Sequence, residues 1–149
     1  MGKQIEQLAQ FVAETQWDEI PVAVQQHAKL VLLDTLGVIL AGAEQPEVQQ
    51  LRQRLLAPAG TGATVLARGW PISDPRTVAL LNGIAGRSIE LCEGHRYVSC
   101  QGAVQIVPGV VAVGEWGQST GREMLTALIV GYDTAIRLGA ALTPRALAH

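Results

Sequence analysis

Aromatic residues are scarce in this sequence: one Phe, two Tyr and three Trp, or 4% of 149 residues. The core must therefore be built from Leu, Val, Ile and Ala, which favours packed helices over a β-sandwich with large rings at its centre. Charge is also thin, at 16% of residues, against about 25% in an average domain. Lys and Arg number 11 against 13 Asp and Glu, so the formal net charge is −2. No basic block occurs, and nucleic acid is excluded as a partner because its recognition needs a basic face. Cysteine is limited to Cys92 and Cys100. A disulfide between them is open, but no cysteine-dense framework and no secretory leader accompany them. Reduced thiols in a cytoplasmic setting are the expectation. No C-x-x-C or H-E-x-x-H spacing is present, so neither a metal site nor a cofactor is expected. The longest apolar run, 30–41, is interrupted by Asp34 and too short to span a bilayer, and no membrane partner is expected.

What is present is aliphatic. Apolar residues make up 48% of the chain, and the mean hydropathy is +0.23. Apolar surface left by such a chain calls for cover by a partner or by further chain. Ile5, Leu8, Ala9 and Val12 recur at helical spacing and predict an amphipathic helix over 3–16. Pro21 suits the first turn of a second helix, 21–42, which becomes apolar all round at "LVLLDTLGVILAGA". Such a helix is expected to be buried on most sides, with Asp34 held by a structural hydrogen bond rather than used in catalysis. Pro46 opens a short helix with Val48, Leu51 and Leu55 on one side. A glycine- and proline-rich loop then carries one extended piece, "ATVLA". Asp74-Pro75 reads as cap and first residue of a helix to about Ile89. Another helix runs from about Ala103 to Trp116, and Thr120-x-x-Glu123 is a capping box opening the last one. "TPRALAH" closes the chain in polar residues. Glycines lie inside several helical patterns (Gly37, Gly83, Gly86, Gly114, Gly131, Gly139). Each costs about 1 kcal/mol relative to Ala, so close helix–helix approach is expected there. The fold class is all-α, a single helical domain over 1–149.

Between these helices lies "SIELCEGHRYVSCQGAV", a polar loop in an apolar chain. It offers carboxylates at Glu90 and Glu93, an imidazole at His95 and a guanidinium at Arg96, with Tyr97 beside them. Gly102 stands at a helix start, where amide hydrogens point outward and attract anions. Arg96 is suited to a bidentate grip on a carboxylate. A Glu or His near a desolvated site is suited to proton transfer. Together these residue types describe a pocket for a small carboxylate substrate. The plain alternative is a solvated loop held by a Glu–Arg ion pair.

Six stretches, "VLLDTLGVILAG", "GATVLARG", "ALLNGIAG", "IELCEGHR", "IVPGVVAVGEW" and "MLTALIVGYDTAIRLGAAL", fall in an order that resembles the MmgE/PrpD family. That family includes 2-methylcitrate dehydratase, cis-aconitate decarboxylase and iminodisuccinate epimerase, and "ELCEGHR" looks more like its epimerase-type branch. The resemblance implies an all-helical first domain, a smaller α+β second domain and a homodimer. It also implies proton transfer next to a carboxylate of a small di- or tricarboxylate, ending in elimination, decarboxylation or epimerisation. On the family's pattern Glu90 takes the acidic position of the first site motif, with Glu93 a turn later, and His95 and Arg96 face the same pocket. Gln101 stands where the family usually has a catalytic histidine, and glutamine cannot exchange protons near neutral pH. Arg87 stands where many members have histidine.

Family members are far longer, and their second histidine and catalytic lysines come after this chain stops. The resemblance therefore covers the N-terminal part of the helical domain, with the later helices and the α+β domain absent. Three readings follow. The first is a fragment or subunit of a MmgE/PrpD-like lyase or isomerase, completed by another chain or by its own copies. The second is a degenerate, non-catalytic binding or dimerisation module. The third is a small stand-alone enzyme that uses Glu90, Glu93 or His95.

Overall fold

A computed structural model describes residues 2–57, 61–98 and 100–146. Part of the glycine- and proline-rich loop and the last residues of the polar close lie outside the described residues. The described chain is all-α: α1 (Gly2–Glu14), α2 (Val22–Gly42), α3 (Pro46–Leu55), α4 (Pro75–Arg87), α5 (Gly102–Trp116) and α6 (Gly121–Ala146). A 3-10 turn, Trp17–Glu19, joins α1 to α2. The extended piece pairs as a two-residue antiparallel hairpin, β1 (Ala63–Thr64) with β2 (Ile72–Ser73).

Local chemistry sets the helix starts. The Asp74 carboxylate accepts from the amides of Arg76 and Thr77, both at 3.1 Å, and Pro75 fills the first helical position of α4. These bonds hold Asp74 below the usual carboxylate range, the Thr77 bonds contributing most. At α6, Thr120 and Glu123 exchange hydrogen bonds at 2.6 and 3.3 Å, a reciprocal capping box. The hairpin is fastened to α5 by the Glu115 carboxylate, which accepts from the Thr64 amide at 2.7 Å and from the Thr64 hydroxyl.

The core is layered and made of small aliphatics. Ala28, Ala103, Val107 and Leu128 join α2, α5 and α6. Ile39, Ala43, Val48 and Ala85 join α2, α3 and α4. Ala63, Val65, Val78 and Ala112 seat the hairpin on α4 and α5. Residues of this size let backbones approach closely. A Cβ at Gly42 would collide with the Ala85 carbonyl, and one at Gly86 would meet Val104 at 2.6 Å. Gly37 departs from the expected close approach, because nothing lies within 4 Å of its missing Cβ.

Two expectations for α2 are corrected. The helix is not buried on most sides: Val22, Leu30, Leu33 and Leu40 are 51–68% exposed. These four share one flank, opposite the core-facing Ala28, Thr35 and Ile39. The helix is apolar all round because it has two apolar faces, of which the core uses one. Asp34 is exposed and has no hydrogen bond among the described residues, so hydration rather than a buried partner satisfies it. The buried charge lies elsewhere, at Arg52 on α3. It donates to the Ala43 carbonyl at 3.1 Å and lies 5.6 Å from the Trp70 ring centre. Burial pushes its guanidinium below the ordinary value, opposed by Glu44. By length and composition, Gly121–Leu142 of α6 is the one described helix that could cross a bilayer unaided. In this fold α6 packs on α5, α2 and α1.

Candidate functional site

The polar loop runs from the end of α4 to the start of α5, and the structure divides its residues into two groups. The first gathers at the end of α4. Arg87 donates to the Glu90 carboxylate at 2.7 Å and to the Cys92 sulfur at 2.9 Å. Glu90 has a left-handed backbone, φ 54°, as the chain turns out of the helix. Its side chain is 69% exposed, so the pair with Arg87 is a solvated surface ion pair. Cys92 and Cys100 are both free thiols.

The second group gathers where the loop meets α5 and α6. One Glu93 oxygen accepts from the Ala103 amide at 2.6 Å, and the other accepts from the Tyr132 hydroxyl at 2.9 Å. Gln101 is the residue that precedes α5, and its side chain makes no capping bond. Glu93, eight residues earlier, does that work: its carboxylate satisfies an open amide of the first turn and sits at the positive end of the helix. Gly102 admits the Tyr132 ring, since a Cβ there would lie 3.0 Å from two ring atoms. Tyr132 is pushed well above the usual tyrosine range, first by burial and then by its bond to Glu93. It therefore acts as a donor.

His95 is pinned through its backbone, donating to the Cys100 carbonyl at 2.6 Å. Its ring meets Tyr97 edge-on at 6.0 Å. Its Nδ1 is buried and has no hydrogen-bond partner among the described residues. Arg96 is exposed and makes no ion pair among the described residues, and Tyr97 is exposed at the surface.

Glu93, Gly94, His95 and Tyr132 edge a cavity of about 820 Å³ between α1, α2 and α6. Of the seven candidate site residues, Glu93 and His95 line it, whereas Glu90, Arg96, Tyr97, Gln101 and Gly102 do not. Tyr132, Asp133 and His27 also line it and were not singled out from sequence. The legible signal for Tyr132 was its rarity, as one of two tyrosines set in an aliphatic helix.

Comparison with known proteins gives a consistent picture. Over 95% of its length, the chain is 28% identical to the cis-aconitate decarboxylase-like protein oryM of Aspergillus oryzae, covering 31% of that protein. It is also 28% identical to a cis-aconitate decarboxylase of Aspergillus terreus, over 84% of this chain and 26% of the relative. The chain thus spans between a quarter and a third of the length of these curated relatives. No solved structure gives a significant match. The model of the MmgE/PrpD N-terminal domain matches residues 6–149, nearly the whole chain, which therefore belongs to the MmgE/PrpD family.

Proposed function

We propose that this chain is the helical part of a MmgE/PrpD-type lyase acting on a small di- or tricarboxylate. Dehydration or decarboxylation is the favoured chemistry, with epimerisation as a further outcome of the same proton transfer. One observation carries the reading: within a chain matched to the family over residues 6–149, the hydrogen-bonded pair Glu93 and Tyr132 lines one cavity together with His95. His95 is the group suited to exchanging a proton at the carbon beside a carboxylate. It takes the task that glutamine at position 101 cannot perform. Glu93 anchors the loop to α5 and α6 and so fixes His95 near Tyr132. Arg96, which has no ion pair among the described residues, suits a substrate carboxylate. A complementing chain or further copies complete the site and cover the bare flank of α2. Two free thiols suit a cytoplasmic setting.

The test is proton exchange and CO2 release from cis-aconitate and related carboxylates in D2O, followed by NMR. The Gln101→His variant is expected to raise the rate. No exchange and no CO2 release, with or without a companion chain, would sink the catalytic reading.

A second reading has its own support. Gln101 lacks proton chemistry, and both Glu93 oxygens are engaged in holding α5 and α6. On this reading the chain binds carboxylates without turning them over. A melting-temperature rise with citrate that disappears in Arg96→Ala, with no turnover, is its signature.

A further inference from the structure

The bare flank of α2 has a period of its own. Ala23, Gln26, Leu30, Leu33, Gly37 and Leu40 are all exposed and follow one another at alternating steps of three and four residues. That alternation is the heptad spacing of a seam between two helices. Ala23, Leu30 and Gly37 take the first core position of each heptad, and Gln26, Leu33 and Leu40 the second. The chain's own core uses the opposite face, through Ala28 against α5 and α6 and Ile39 against α3 and α4. Gly37 fits the seam: nothing in the chain lies within 4 Å of its missing Cβ, so no internal contact offsets the helix propensity it forfeits. Small residues at 23 and 37 let a second helix come close.

The borders of the seam indicate which helix that is. Lys29 precedes one core position and Asp34 follows the next, so they flank the seam on opposite edges. Both are exposed, and neither forms an ion pair among the described residues. The hydrogen bond of Lys29 goes to its neighbour Gln26, at 3.2 Å. In two parallel helices in register, these edges meet, and a lysine and an aspartate five residues apart pair across the seam. In antiparallel helices each edge would meet its own kind, lysine side to lysine side. Gln26 both donates and accepts through its amide, so it can pair with a second Gln26 at the axis. The flank is therefore complementary to itself in one orientation.

We propose that this flank docks α2 of a second copy of the chain, parallel and in register, with Lys29 of each copy paired to Asp34 of the other. The contact is isologous, so the two ion pairs are equivalent and the assembly closes at two copies. Leu30, Leu33 and Leu40 supply the apolar burial, and the charged edges fix orientation and register. The polar loop takes no part in the seam, so the proposal stands apart from the lyase reading.

The experiment is sedimentation equilibrium of the whole chain at low salt, where surface charge is least screened. The parent is expected to dimerise. Lys29→Glu and Asp34→Lys each set like charges across both edges, and each is expected to raise the dimer Kd about tenfold. An equimolar mixture of the two variants again has opposite charges at both edges, and its Kd is expected to return to the parent value. Leu33→Cys under oxidised glutathione is expected to link two copies through that position, a disulfide that peptide mass spectrometry separates from any at Cys92 or Cys100. Circular dichroism checks that each variant folds; Lys29→Asp and Asp34→Arg place the same charges and replace one that does not. A monomeric parent overturns the proposal. So does a dimer whose Kd ignores both charge variants, or a mixture that fails to restore it. Absence of the disulfide at position 33 overturns the parallel register.

Discussion

Tyr132 is the residue on which most of the site geometry converges, since its hydroxyl ties α6 to the Glu93 carboxylate and its ring packs on Gly102. Its raised pKa gives the bond a pH signature. The unfolded chain ionises tyrosine near pH 10, whereas the folded site keeps it neutral to higher pH. The stabilisation is therefore complete below about pH 10 and lost as pH climbs toward the folded value. Tyr132→Phe is expected to cost about 1 kcal/mol at pH 8, because one Glu93 oxygen loses its partner. It is also expected to flatten the fall in melting temperature between pH 9 and 11. Thermal melts of the two proteins across that range check both; parallel curves would mean that Tyr132 titrates as an ordinary tyrosine.

At the level of helices, glycine placement separates close contact from mere weakness. Gly42 is where α2 crosses the end of α4, with the Ala85 carbonyl in the space a Cβ would need. Backbone cannot move aside as a flexible side chain can, so Gly42→Ala is expected to cost about 2 kcal/mol or more. Gly37, five residues earlier on the same helix, faces open space. Gly37→Ala is expected to gain up to about 1 kcal/mol from helix propensity. Denaturant unfolding of both variants measures the contrast, and equal effects would contradict the α2–α4 packing. The sequence marks Gly37 as a helix-interior glycine and Gly42 as the end of the helix, but helical periodicity reports a face and not the distance to what lies across it. Caps were legible for the opposite reason. Asp74-Pro75 and Thr120-x-x-Glu123 act within a single turn, so residue identity and spacing contain the whole interaction. The Glu93–Tyr132 bond spans 39 residues and left no local trace. The loop itself was legible as polar chemistry in an apolar chain. Its division between the Arg87–Glu90 pair and the Glu93–His95 edge depended on which way the chain turned at Glu90.

For the whole molecule, the high hydropathy is explained by apolar surface the fold leaves bare. Val22, Leu30, Leu33 and Leu40 lie along one flank of α2, and Val113 and Trp116 stand exposed at the end of α5. We expect the isolated chain to self-associate in light scattering at micromolar concentration. The double variant Leu30→Lys, Leu33→Lys is expected to lower the apparent mass without changing the helical circular dichroism signal; a monodisperse monomer in the parent would remove the basis for this. The hairpin clamp adds a consequence for the order of assembly. Thr64 reaches Glu115 across 51 residues of chain, so the clamp closes a long loop and needs α5 in place before it can form. The Thr64 amide is then a clock for the last stage of folding: in pulse-labelling hydrogen exchange it gains protection after the amides of α4 and α5.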